Sequence, residues 1–63
     1  MLIRAELAGD RLYSKTYDGI VETAADLTAE PRLAEMSPGS LMYCLGDGKL
    51  YAKTAAGSWE AAE

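Results

Sequence analysis

Residues 37–60 read SPGSLMYCLGDGKLYAKTAAGSWE, and the order of turn and strand signals in this stretch decides the fold class. Pro38-Gly39 suits the central pair of a type II turn: proline pre-sets the first φ and glycine accepts the positive second one. Leu41 to Leu45 and Lys49 to Thr54 are short runs rich in Leu and Tyr. Asp47-Gly48 between them is a strong signal for a two-residue hairpin loop. Gly57 turns the chain again, and Ser58-Trp59-Glu60 starts a third strand.

That loop sets an expected register. Leu45 faces Leu50, Tyr43 faces Ala52 and Leu41 faces Thr54, which gathers one nearly continuous apolar face for burial. Met42, Cys44, Tyr51 and Lys53 fall on the opposite face. A three-residue loop, Gly46 to Gly48, would mix Lys49 and Lys53 with Leu41 and Leu45, so period-two burial favours the shorter loop. Trp59, the only tryptophan, is expected to close the core. On this reading Leu50→Ala removes a buried side chain and costs about 2–5 kcal/mol.

Composition sets the scale. A chain of 63 residues is one small domain, and chains of this size bury only about 60% of their unfolded surface. One cysteine allows no internal disulfide, and with no histidine a structural zinc site is not expected. There is no phenylalanine, and many of the apolar residues are alanine, which buries little area. A homo-oligomer is therefore expected to supply the missing burial. The net charge is −4, and the six basic residues are scattered, which argues against nucleic acid as a partner. No apolar run approaches the roughly 20 residues of a membrane span, so no membrane partner is expected. Met1 to Glu6 carries neither a basic leader nor a sustained apolar stretch, which argues against a signal peptide.

The N-terminal half is read from alternation and turns. Ile3, Ala5 and Leu7 share one face of a strand, Arg4 and Glu6 the other. Gly9-Asp10 suits a type II′ turn, which would pair Leu7 with Leu12 and Glu6 with Tyr13, and would set Arg4 against Lys15, a like-charge pair with a cost. Asp18-Gly19 marks a second turn, and Ile20 to Thr23 a short strand. Thr23-Ala24-Ala25-Asp26 resembles a helix-start box, with Asp where Glu or Gln is usual. Pro31 suits the first position of a short helix near Glu30 to Met36, with Leu33 and Met36 one turn apart on the face that must pack on a sheet. Residues 9–16 also echo residues 46–54. A duplicated hairpin would explain this, but ordinary turn and strand preferences explain so short a match more economically. The fold expected is a single domain, 1–63, mainly β: an N-terminal hairpin (1–19), a connector with one short helix (20–37) and an antiparallel C-terminal module (38–63).

No constellation of catalytic type emerges. Asp10 and Asp47 sit where turns favour Asp for backbone hydrogen bonding, and the remaining carboxylates have no metal-ligand spacing. The commonest general base is missing with histidine, and Cys44, inside a strand without a histidine partner, reads as a small core or interface filler. Gly46-Asp47-Gly48 lacks the sequence that follows glycine in a phosphate loop. No enzymatic activity, cofactor or metal is expected. The aromatic residues, Tyr13, Tyr17, Tyr43, Tyr51 and Trp59, read as packing groups for a core or subunit interface, with sugar or protein binding as the alternative.

The stretch Pro38-Gly39-Ser40, Tyr43, Gly46-Asp47-Gly48-Lys49-Leu50-Tyr51 and Gly57-Ser58-Trp59-Glu60 resembles a β module of small virion proteins of tailed bacteriophages and prophages, over roughly Ser37 to Glu60. The resemblance implies a non-enzymatic structural protein: a capsid decoration, a head or tail fibre component, or an attachment piece. It implies a homo-oligomer, a trimer as first expectation, with other virion proteins as partners. It places the chain in a phage particle, or in the host bacterial cytoplasm during assembly. Tyr43, Tyr51 and Trp59 would be the shared packing set, and Leu41, Leu45 and Leu50 complete the expected interface and packing residues. The alternative is a small carbohydrate- or protein-binding module using exposed aromatics, and a third reading is a regulator encoded by a mobile element.

Overall fold

The computed structural model describes residues 1–11 and 14–62. It shows a mainly β protein: one mixed five-stranded sheet with two one-turn helices on one face. The elements run β1 (Leu2–Arg11), β2 (Ser14–Val21), α1 (Asp26–Ala29), α2 (Pro31–Ala34), β3 (Leu41–Cys44), β4 (Lys49–Lys53) and β5 (Trp59–Ala61). Strand order across the sheet follows the chain, β1-β2-β3-β4-β5. All neighbours are antiparallel except β2 and β3, which pair in parallel. The mainly β class is the one expected, and the parallel β2–β3 pair is the feature that the turn signals did not reveal. Parallel neighbours cannot be joined by a tight hairpin, so residues 22–40 must cross over one face of the sheet, carrying both helices with them.

The N-terminal hairpin forms, with its turn further along than expected. Gly9 and Asp10 lie inside β1, and Asp18 and Gly19 inside β2. Leu7 pairs with Tyr17, Glu6 with Asp18, and Arg4 with Ile20, replacing the pairings of a Gly9-Asp10 turn. Residues 12 and 13 lie outside the described residues, as does the expected role of Tyr13. The longer hairpin also removes the electrostatic conflict. Arg4 no longer faces Lys15, which instead meets Asp10, an opposite charge. Since Gly9-Asp10 is strand and Gly46 to Gly48 is loop, the two echoing segments are not equivalent in structure.

Two helical turns replace the one expected. Asp26 opens the first, and its Oδ2 accepts the Thr23 N–H at 3.0 Å, half of the reciprocal start box. The same carboxylate pairs with the Met1 ammonium, and these two contacts, the ammonium first, hold its pKa below the ordinary range. Pro31 takes the first turn of α2, where it forfeits no hydrogen bond. Leu27, Leu33 and Met36 from this connector meet Val21, Met42 and Cys44 from the sheet to form the buried core. Cys44 is the small core filler its sequence context suggested.

The type II turn forms at 37–40. Gly39 has φ of +96° and Ser40 N–H donates to the Ser37 carbonyl at 3.2 Å. The turn also stitches β3 to β2. Ser37 Oγ accepts the Lys15 N–H and Ser40 Oγ the Tyr17 N–H, each at 3.1 Å. Buried Ser40 then returns its proton to the Ser37 carbonyl at 2.8 Å. Two hydroxyls thus prolong the parallel ladder beyond its backbone pairs, and the buried Ser40 hydroxyl is itself satisfied.

The β3–β4 loop corrects the expected register. Tyr43 pairs with Leu50, Leu41 with Ala52 and Cys44 with Lys49, so the loop has four residues, 45–48. The cause lies on the other edge of β3. Leu45 N–H donates to the Val21 carbonyl at 3.0 Å and Gly46 N–H to that of Glu22 at 2.9 Å. These bonds hold the chain against β2 after Cys44, and Gly48 N–H closes the loop on the Cys44 carbonyl at 2.8 Å.

The buried face of the hairpin is the reverse of the expected one. Met42 and Cys44 are wholly buried and Lys53 is nearly so, while Tyr43 and Leu45 are exposed, and Leu41, Leu50 and Ala52 half-buried. The alternation itself was read correctly. What inverts it is the crossover, which lays Leu27, Leu33 and Met36 on the side of Met42 and Cys44.

Candidate interaction face

The side of the sheet away from the helices is the candidate site. Strand registers set its outward residues in two rows. One row runs Arg4, Ile20, Tyr43, Leu50 across β1 to β4. The next runs Glu6, Asp18, Leu41, Ala52, Glu60 across all five strands. The apolar members occupy the central strands and the charged members the flanks. A sheet with one solvated face normally turns polar residues outward. An apolar centre with a charged rim is instead the anatomy of an interaction surface. Leu45, at the adjoining loop, is 53% exposed, and Tyr43 is 42% exposed.

Of the six residues expected to pack together, the structure brings Leu41, Tyr43 and Leu50 onto this face, with Leu45 at its border. It places Tyr51 and Trp59 on the helix side, because Tyr51 pairs with Met42 and Trp59 with Lys53. Both are half-buried against the core, so Trp59 serves the core in part. Tyr43, Tyr51 and Trp59 therefore do not form one set. Tyr51 Oη donates to Asp47 Oδ2 at 2.7 Å, and that carboxylate raises the phenol's pKa above its ordinary 10.0. Stabilisation from this bond is present below the ordinary value and lost as pH rises through the raised one. In a spectrophotometric titration, Asp47→Ala is expected to bring one late-titrating tyrosine back to lower pH. Curves that overlay the wild type would exclude the bond in solution.

Lys53 is the residue that alternation could not interpret. A lysine in a strand ordinarily marks solvent, yet Lys53 is only 6% exposed. Its ammonium donates to the carbonyls of Leu33 at 3.0 Å and Ala34 at 3.3 Å, and lies 5.4 Å from the centroid of the Trp59 ring. Those carbonyls end α2, and that of Leu33 also accepts the Met36 N–H at 3.4 Å. Lys53 thus fastens the connector to the sheet. Lys53→Met keeps the apolar stem but removes both bonds from the ammonium, a loss of about 1–3 kcal/mol, measurable by urea denaturation. A Lys53→Met midpoint equal to wild type would show that water serves those carbonyls instead.

A pocket of about 360 Å³ opens beside this contact, between Leu27, Thr28, Ala34, Lys53, Ser58 and Trp59. Its cation is already engaged by two carbonyls, and Trp59 Nε1 is buried without an acceptor among the described residues. No group of three metal-ligating side chains converges among the described residues. No helix is long and apolar enough to cross a membrane. Comparison with protein-family models, curated proteins and solved structures finds no match.

Proposed function

We propose that this chain is a non-enzymatic structural component of a phage-like particle, a capsid decoration, fibre or attachment piece, that docks through the outer face of its sheet. The observation that carries the docking role is the apolar centre of that face, where Tyr43 is exposed and Ile20, Leu41, Leu50 and Ala52 are half-buried between charged flanks. The virion setting is supported by the likeness of residues 37–60 to phage β modules. The small core adds to the case, since six buried residues are a modest anchor for a free-standing domain. The carbohydrate-binding alternative is less well supported: among the described residues Tyr43 is the one aromatic on the outer face, where a sugar platform calls for several.

The test is co-sedimentation with assembled particles from a host induced to make them. Tagged wild-type chain is expected in the particle fraction, and Leu50→Asp, folded by circular dichroism, in the soluble fraction. Wild-type chain that stays with soluble protein and binds a cell-wall glycan would overturn this reading.

A further inference from the structure

The rim of the outer face carries one cation, Arg4, and three carboxylates, Glu6, Asp18 and Glu60. Arg4 and Glu6 stand on the same face of β1, one in each outward row, and Asp18 stands beside Glu6 on β2. Among the described residues Arg4 has no ion-pair partner, the single salt bridge being Met1 with Asp26. A two-fold axis in the plane between two such sheets, perpendicular to the strands and midway between the rows, lays the first row of one copy on the second row of the other. Arg4 then falls over Glu6 of the second copy and beside its Asp18. By symmetry the contact occurs twice. The same operation sets Tyr43 over Leu41 and Leu50 over Ala52 at the centre, and Ile20 over Asp18 next to the Arg4 contact.

We propose that the outer face pairs with the same face of a second copy in this way, giving a helix–sheet–sheet–helix sandwich. The pairing rests on the docking role proposed above and names its occupant. Sheets pack face to face about 10 Å apart with strands near alignment, a gap that Tyr43, Leu41 and Leu50 from both copies fill and Arg4 spans at the edge. A stable interface takes roughly 800 Å² from each partner, about a fifth of this chain's 4076 Å² surface, and one broad face of a two-layer domain supplies a share of that order. Other axes fit less well. An axis along the strands would set Glu6 against Glu60, both negative. The self-complementary charge order is that of an isologous contact, which favours a pair over the trimer that the phage likeness implies.

Sedimentation equilibrium of the full chain tests this, with variants at exposed positions. Wild type is expected to dimerise at about 100 µM, within the affinity range of standard interfaces. Arg4→Glu places Glu against Glu, and Glu6→Arg places Arg against Arg. Each is expected to weaken the dimer about tenfold or more, since one reversal acts at two symmetric contacts. The double variant, Arg4→Glu with Glu6→Arg, restores the order and is expected to recover affinity to within about threefold of wild type. Leu50→Asp is expected to leave a folded monomer. A dimer indifferent to both single reversals, or a double variant no better than either, overturns the pairing. So does a wild-type monomer at that concentration. If that monomer still joins particles through Leu50, the docking role stands and only the second copy is removed as its occupant.

Discussion

Leu33→Ala is expected to unfold most of the protein at room temperature, whereas Leu50→Ala is expected to leave it folded. Leu33 is wholly buried, the anchor by which α2 holds to Met42, Cys44 and Val21. Leucine-to-alanine truncation at such a site costs about 2–5 kcal/mol, the spread reflecting how far the surroundings collapse into the cavity. A single core in a domain this small supplies no more than about 3–5 kcal/mol in all, so the loss is comparable with the whole. Leu50 lies half-buried on the outer face, with Tyr43 and Ala52 as its neighbours in the sheet. Its truncation creates no enclosed cavity and is expected to cost about 1 kcal/mol or less. The reversed burial of the hairpin withdraws the larger loss that alternation alone assigns to Leu50. Urea denaturation followed by far-ultraviolet circular dichroism, at low protein concentration so that self-association does not contribute, compares the two. A Leu50→Ala chain that unfolds while Leu33→Ala melts with wild type would place the core on the wrong side of the sheet.

The second large effect belongs to Gly19→Ala. Gly19 is buried in β2 opposite Ala5, on the helix side of the sheet. A methyl group there would collide with the Arg4 carbonyl oxygen and stand 2.9 Å from Met42 Sδ and 3.0 Å from Ala5 Cα. The methionine can swing aside. Arg4 cannot, because its carbonyl belongs to the backbone of β1, and relief requires that strand to move. Overpacking a rigid site costs about 1–3 kcal/mol and occasionally more, and a backbone obstacle puts this position at the upper end. The expected result is a lowered urea midpoint, with amide exchange speeding first in β1 while β3 and β4 keep their protection. Uniform protection and an unchanged midpoint would show that β1 lies further from β2 than the structure has it.

Gly19 illustrates where local signals mislead. Asp18-Gly19 has the composition of a turn, and turn preference is a statement about four residues. Here the glycine is required because another strand passes close by, a contact fixed only once β1 and β2 have paired along their whole length. Gly9-Asp10 fails as a turn for a related reason. A longer hairpin puts Asp10 against Lys15 and adds rungs to the ladder, gains that a two-residue signal does not register.

The sequence by itself determined the strand segments of the C-terminal half, the Pro38-Gly39 turn, the helical turn begun by Pro31 and the partition of those C-terminal strands into alternating faces. These are settled by chiral sterics, by proline's fixed φ and by the two-residue period of a strand, all of which act within a few positions. Only the tertiary structure decided which face is inside. Leu41, Tyr43 and Leu50 compete with Met42, Cys44 and Tyr51, and period-two alternation separates the two sets without saying which side will be covered. The parallel pairing of β2 with β3 settles it by sending the connector across one side of the sheet. Leu27, Leu33 and Met36 then bury Met42 and Cys44, and the carbonyls ending α2 give Lys53 partners away from water. The opposite face, apolar by the same alternation, carries neither helix among the described residues.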